Sequence, residues 1–127
     1  MIKQGLISEF THEAENTRKL LKAIPDSALD YRPQPQLWSV AELASHIAEV
    51  YNWYDGTFNY DHFDMGTYSY DKGDISKAST IVEKFEENVK KAKEILENSD
   101  ESTYMTNWTM GANGHNFMPP MPRITMV

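Results

Sequence analysis

Apolar side chains recur in three stretches of the 127-residue chain, at the three- and four-residue spacing that places them on one face of an α-helix. The first stretch covers residues 2–24, and its apolar face consists of Leu6, Phe10, Ala14, Thr17, Leu21 and Ile24. Pro25 then ends the helix, because proline lacks an N–H group and restricts the backbone of the residue before it. We therefore predict a first helix near residues 3–24.

Two local patterns mark the start of a second helix. Ser39 and Glu42 have the spacing of a capping box, in which the serine hydroxyl accepts from a free N–H group and the glutamate reaches back to the cap. Trp38 and Leu43 occupy the two positions of a hydrophobic staple around that cap. The predicted helix covers residues 40–54 and ends at the Asp-Gly pair that follows. Its apolar face consists of Val40, Leu43, Ile47, Val50 and Tyr54.

A third helix is predicted over residues 76–98. Asp74 or Ser76 is expected to cap its start, and the polar segment that begins at Asn98 ends it. Its glutamates precede lysines by four residues on the opposite face, which is typical of a solvated helix surface. Its apolar face consists of Ala78, Val82, Phe85, Val89, Ala92 and Leu96.

The last third of the chain predicts a hairpin. A strand over residues 103–110, a turn at residues 111–114 and a return at residues 115–118 fit the Asn-Gly pair in the turn. Pro122 then suits the first turn of a helix, but the five residues after it are too few for a stable one. We therefore expect a fourth helix to be missing from the chain that ends at Val127, or to come from a partner.

The predicted fold class is all-α, an up-and-down four-helix bundle of which this chain holds three helices and a small hairpin. Three amphipathic helices leave a groove that a fourth helix normally fills. Without that helix we expect two copies of the chain to cover the groove as a homodimer, since large apolar patches rarely stay bare. The side chains expected to be exposed there include Phe10, Ile47, Val50 and Phe85.

Composition narrows the class of protein. The chain is 40% apolar and 24% charged, which indicates one globular domain over residues 1–127. Its net charge of -7 argues against binding nucleic acid or an anionic membrane. No apolar run approaches the roughly 20 residues that span a bilayer, and the N-terminus has no signal-peptide pattern. The absence of cysteine excludes disulfides and thiolate ligands, so we expect a cytoplasmic protein.

Candidate chemistry is limited to histidines and carboxylates on helices. His46 lies at the inner edge of the second helix's apolar face, with Glu49 three positions later, and an inward histidine of this kind can bind a metal in a bundle. On pattern alone, a histidine satisfied by a neighbour is the commoner case. Glu13 falls on the apolar side of the first helix, where a carboxylate needs a partner. An ion pair with Arg32 or Arg123 is favoured there over a site role.

The other histidines carry weaker indications. His12 is expected to face solvent, and His115 is expected to lie on the hairpin turn without a role in a site. His62 lies between aspartates and resembles a ligand, although such loops are common on acidic surfaces. The aromatic segment after the second helix either lines a substrate entrance or, more simply, packs over the end of the bundle. Its members are Phe58, Tyr60, Phe63, Tyr68 and Tyr70.

The first 55 residues resemble the DinB family, bacterial four-helix proteins that include the YfiT-like metal-dependent hydrolases. The remainder fits that family in layout only. The residues that carry the resemblance are Glu13-x-x-x-Thr17-Arg18-x-Leu20-Leu21-x-x-Ile24-Pro25, Leu29-Asp30-Tyr31-Arg32-Pro33, and Trp38-Ser39-Val40-x-x-Leu43-Ala44-x-His46-Ile47-Ala48-Glu49 with Trp53.

The resemblance implies a divalent metal ion, commonly nickel, zinc or iron, bound by three histidines. His46 occupies the position of the ligand from the second helix. The other two ligands belong to an H-x-x-x-H pattern in a fourth helix, which is not present before Val127. Three ligands leave positions open for water or substrate, which is typical of catalytic sites. Glu49 and Glu13 are then candidates for orienting the ligand from behind.

The sequence thus favours a metal-dependent enzyme that acts on a small molecule, either a hydrolase or a transferase that uses a low-molecular-weight thiol. On this hypothesis His46 binds the metal, a metal-bound water or thiolate is the nucleophile, and no side chain is assigned a catalytic role. The alternative function is that of a metal-free helical module that dimerises through its exposed face and has no catalytic activity.

Overall fold

The computed structural model describes residues 2–112 and 114–126. Within them the chain is mostly helical, with a small mixed sheet at one end of the helices. Three helices of eleven residues or more form the body of the described part: α1 (Ile2–Lys22), α2 (Val40–Val50) and α4 (Ala78–Glu97). A short helix, α3 (Tyr54–Phe58), follows α2 after one 3-10 turn. In the described part of the chain, no helix has the length and apolar character needed to cross a bilayer.

Helix α4 forms the centre of the core, because it packs against both α1 and α2. The predicted apolar face of α4 is confirmed in the main, with Phe85 and Leu96 fully buried. On α1 the predicted face is also confirmed in part, since Phe10 and Leu21 are buried and Leu6 is half-buried. These predictions succeed because both helices are long and each buries one continuous apolar face, so the burial follows the 3.6-residue period.

The buried face of α2 differs from the predicted one. Leu43 and Val50 are 51% and 38% exposed, although both belong to the predicted apolar face. Small side chains bring α2 against α4 instead, since they let two helix backbones approach closely. These buried residues are Ala41, Ala44, Ser45 and Ala48. Leu43 and Val50 therefore face away from the core centre, whereas Val40 of the predicted face packs against the core.

The N-terminus of α2 is capped by neighbouring residues, whereas the N-terminus of α4 is capped by a residue distant in sequence. The capping box is confirmed: Ser39 Oγ accepts from the Glu42 N–H, and Glu42 Oε1 accepts from the Ser39 N–H, both at 3.1 Å. The predicted cap of α4 by Asp74 or Ser76 is wrong. The Oδ1 atom of Asp26, more than fifty residues earlier, accepts from the Ala78 N–H at 2.9 Å.

The predicted end of the second helix at Gly56 is also wrong. After the 3-10 turn at Tyr51–Trp53 the chain returns to α-helix, and Gly56 lies inside α3. The glycine is required by packing, because a Cβ atom there would lie 2.3 Å from the ring of Phe63. The Gly56 carbonyl also accepts a hydrogen bond from the Trp108 indole at 2.9 Å.

The sheet contains the predicted hairpin and two strands that were not predicted. Strand β2 (Asn107–Ala112) pairs antiparallel with β3 (His115–Asn116). Strand β2 begins four residues later than predicted, because Glu101–Thr103 forms a 3-10 turn. Strand β1 (His62–Asp64) pairs parallel with β2, and β4 (Met121–Pro122) pairs antiparallel with it. Asn113 of the predicted turn lies outside the described residues. The predicted fold class is therefore correct for the helical body and the hairpin but missed β1 and β4, since pairing between distant segments leaves no periodic pattern.

Pro122 was predicted to begin a helix, but it ends β4 and is followed by a 3-10 turn at Arg123–Met126. A separate small core fixes the sheet to the helices. It consists of the buried side chains Phe63, Trp108 and Met110, with Trp53, Met65 and Tyr68 packed around them.

Candidate functional site

A groove of about 490 Å³ runs between α1 on one side and α2 with α3 on the other. The sequence predicts that an open groove exposes Phe10, Ile47, Val50 and Phe85. That prediction is wrong for Phe10 and Phe85, which are 5% and 0% exposed, because both pack on neighbouring helices. It is correct for Val50, and Ile47 is half-buried. The groove is therefore a partly closed cavity rather than a bare face.

Aromatic rings form the wall of the groove on the α2–α3 side. Tyr51 and Tyr54 each meet the Phe10 ring edge to face, with ring centroids 5.7 and 5.3 Å away. The Tyr54 and Phe58 rings stack at 5.8 Å. Burial raises the pKa of Tyr54 to about 12, so its hydroxyl is neutral at physiological pH. These contacts hold the rings in fixed orientations around the cavity.

The opposite wall carries two carboxylates. Glu9 and Glu13 of α1 line the groove and are both exposed, so the expectation of a buried Glu13 is wrong. Neither predicted ion pair forms, because Arg32 pairs with Glu42 and Arg123 with Asp61. The buried face of α1 turns toward α4, which leaves Glu13 at the side of the helix that borders the groove. Helix periodicity alone does not define which neighbour each side meets.

His46 lies behind the aromatic wall. Its imidazole is half-buried and lies between two indole rings, with centroids 5.1 Å from Trp38 and 5.8 Å from Trp53, both edge to face. Trp53 also lines the groove, whereas His46 is not among the described residues that line it. These two contacts restrict how the imidazole can turn, although neither is a hydrogen bond.

Glu49 lies beside the phenols of the segment after α3. Burial raises the pKa of Tyr68 to about 12, and the nearby Glu49 carboxylate adds to the shift because it disfavours a second negative charge. The Tyr68 hydroxyl accepts from Asn52 Nδ2 at 3.2 Å. Burial, with Glu49 nearby, also raises the pKa of Tyr70. The structure therefore associates Glu49 with the tyrosines, and its role in orienting a metal ligand stays a prediction.

The described residues do not form a complete metal site. Among them, no three histidine, cysteine, aspartate or glutamate side chains lie together in a way that could hold a metal ion. His46 supplies one imidazole, whereas catalytic sites of this kind use three protein ligands. The donor set in the described part of the chain is thus too small for tight binding of a divalent ion.

The other predicted histidines lie on the surface. His12 is exposed as expected, and its Nε2 is 3.4 Å from Asn16 Nδ2. His62 is exposed in β1, with its Nδ1 2.6 Å from the Thr109 hydroxyl on β2. His115 is exposed in β3.

The aromatic segment divides between the two predicted roles. Phe63 and Tyr68 pack in the small core, as the simpler interpretation predicted, whereas Phe58 lines the groove. Tyr70 takes part in a contact that was not predicted from the sequence. Asn88 of α4, 2% exposed, donates from Nδ2 to the Tyr70 hydroxyl at 2.9 Å and to the Ala48 carbonyl at 3.0 Å. Asn88 lies among the apolar residues of one face of α4, and a polar side chain in such a position indicates a buried hydrogen bond.

Comparison with known proteins gives one match. Searches of curated proteins and of solved structures found none with a significant match to the chain. Residues 9–120 match the family model of the DinB superfamily, which extends the resemblance well beyond the first 55 residues. The match covers most of the chain, from the first helix through strand β3. The chain therefore belongs to the DinB superfamily.

Proposed function

We propose that this protein is a metal-dependent enzyme of the DinB type that acts on a small molecule bound in the groove. The reaction is proposed to be a hydrolysis or a transfer involving a low-molecular-weight thiol. The observation that carries the proposal is the half-buried His46 imidazole, held between two indole rings of which one lines the groove. Membership of the superfamily supports the metal, which in related proteins is commonly nickel, zinc or iron.

The described residues contribute positioning rather than a complete reaction centre. Trp38 and Trp53 contact the His46 ring edge to face and limit its rotation, which favours one direction for the lone pair of its unprotonated nitrogen. The apolar wall of the groove limits water around a bound molecule. The further metal ligands are proposed to lie outside the described residues, in a fourth helix that completes the bundle. A cytoplasmic location is part of the same proposal.

The metal is tested by measuring bound metal after dialysis, with mass spectrometry as the readout. We compare the chain that ends at Val127 with the product of the whole reading frame. A product that continues past Val127 should retain about one metal ion per chain, whereas the chain that ends at Val127 should retain almost none. His46→Ala should abolish retention by the longer product, because it removes a ligand.

His12→Ala is the matched control, since His12 is an exposed helical histidine remote from the indole pair, and it should retain metal normally. Metal retention that survives His46→Ala in the longer product would contradict the assignment of His46.

The alternative function, a metal-free module that dimerises, also has structural support. Large apolar side chains beside His46 are about half exposed, and such patches favour association. They are Leu37, Trp38 and Leu43. A reading frame that stops at Val127, together with a homodimer in light scattering and no bound metal, would favour this function over the enzyme.

A further inference from the structure

The groove combines two carboxylates with no positive charge. Glu9 and Glu13 are one helical turn apart on α1, a spacing at which like charges repel. Both are exposed, and neither forms an ion pair within the part of the chain that the structure describes. No lysine, arginine or histidine is among the described residues that line the groove. A bound cation would relieve this repulsion.

The aromatic wall favours the same charge. Tyr51, Tyr54 and Phe58 line the cavity together with Phe10, and the faces of such rings attract cations. Tyr54 is neutral at physiological pH, as an ordinary tyrosine is, and burial raises its pKa further to about 12, so it adds no negative charge that would change this interaction. The hydroxyls of Thr17 and Tyr51 lie 3.3 Å apart and can accept from a donor in the groove.

The rest of the lining is apolar. Leu6 of α1, Ile47 and Val50 of α2 and Met110 of β2 supply aliphatic and thioether surface. The volume of about 490 Å³ lies within the usual range for small-molecule sites. A ligand with an apolar body therefore gains from burial in the groove, while a charged end can reach the exposed carboxylates.

We propose that the groove binds small molecules that have an apolar or aromatic body and a protonated amine. This inference rests on the proposed function, in which the groove is the substrate site. The ammonium group donates to the carboxylates of Glu9 and Glu13, and the body lies against the aromatic wall. An anionic ligand of the same shape meets two unpaired negative charges and binds more weakly.

The test measures binding of three probes of similar size by titration calorimetry: 2-phenylethylammonium, 2-phenylethanol and phenylacetate. The protein is the whole reading-frame product, treated with a chelator so that metal plays no part. The ammonium probe should bind about tenfold more tightly than the alcohol, and phenylacetate should bind most weakly. The preference for the ammonium should decrease as salt is added.

The double variant Glu9→Gln with Glu13→Gln should remove that preference, so that the ammonium probe binds about as weakly as the alcohol. The matched control is Glu83→Gln with Glu97→Gln, which removes the same charge from exposed positions of α4 outside the groove. Circular dichroism checks that both double variants fold. Equal affinity for the ammonium and the alcohol, or a preference that survives in the Glu9/Glu13 variant, would overturn the proposal. Because metal is absent, these outcomes are independent of the His46 experiment.

Discussion

Single residues in the interior show how polar groups are accommodated. Asn88 donates to the backbone of α2 and to the Tyr70 hydroxyl, so it joins α4, α2 and the segment that follows α3. A buried amide costs free energy unless it is hydrogen-bonded, and these two bonds satisfy its donor group. The polar position could be read from the chain, but its partners lie 40 and 18 residues away. The partners are therefore a tertiary property.

The buried phenols give a prediction about pH. Tyr54 and Tyr68 have a pKa near 12 in the folded protein and near 10 when unfolded. Between these values the unfolded chain releases protons that the folded protein keeps, so the free energy of unfolding decreases as pH rises from about 10 to about 12. Tyr54→Phe should reduce that decrease by about 1–2 kcal/mol, measured by urea unfolding across this range. Tyr31→Phe, at an exposed tyrosine, is the control and should leave the slope unchanged.

At the scale of elements, the contact between α3 and β1 depends on a missing side chain. The Phe63 ring of β1 occupies the space beside Gly56, and the Trp108 indole of β2 donates to the Gly56 carbonyl. Both contacts between α3 and the sheet thus meet at this glycine. Glycine inside a helix is unfavourable for backbone entropy, so close packing is the reason for its presence.

Gly56→Ala should destabilise the protein by about 1–3 kcal/mol, because the new methyl group overlaps the Phe63 ring. Gly5→Ala in α1 is the matched control: a Cβ atom added there would have no other atom within 4 Å, and the change should stabilise the protein by about 0.5–1 kcal/mol. Thermal and urea unfolding measure both. A neutral or stabilising Gly56→Ala would show that α3 and β1 are not in this contact.

For the whole molecule, Arg123 connects segments that are far apart in sequence. The residue is 2% exposed, and every N–H group of its guanidinium has an acceptor. The acceptors are Thr57 O at 2.6 Å, Thr103 O at 2.9 Å, Tyr60 O at 3.1 Å, Asp61 Oδ1 at 2.8 Å and Thr106 Oγ1. The guanidinium thereby ties the segment after β4 to the end of α3 and to the turn before β2.

Arg123→Met should lower the free energy of unfolding by about 2–4 kcal/mol, since it leaves buried carbonyl acceptors without donors. Arg123→Lys should recover only part of that loss, because an ammonium group cannot reproduce the planar set of donors. Urea unfolding is the measurement. Arg32→Met, at an exposed ion pair with Glu42, is the control and should cost less than about 1 kcal/mol. An equal cost at both positions would contradict the role of Arg123.

The sequence by itself determined the long helices, the capping box, the hairpin and the family. The helices follow from the helical period, the capping box from the Ser39–Glu42 spacing, and the hairpin from a glycine turn. The family follows from the motif residues of the first 55 positions. They also located His46 on α2, although its metal stays a prediction.

Only the tertiary structure decided which face of α2 is buried, the pairing of β1 with β2, and the exposure of Glu13. Each depends on a segment distant in sequence. The free energy of burying a side chain depends on the packing and hydrogen bonds that this segment provides. Small residues of α2 are buried because α4 approaches closely, and Glu13 borders the groove because α1 turns its apolar face to α4. A helical period defines that a helix has two sides, but the neighbours decide what each side meets.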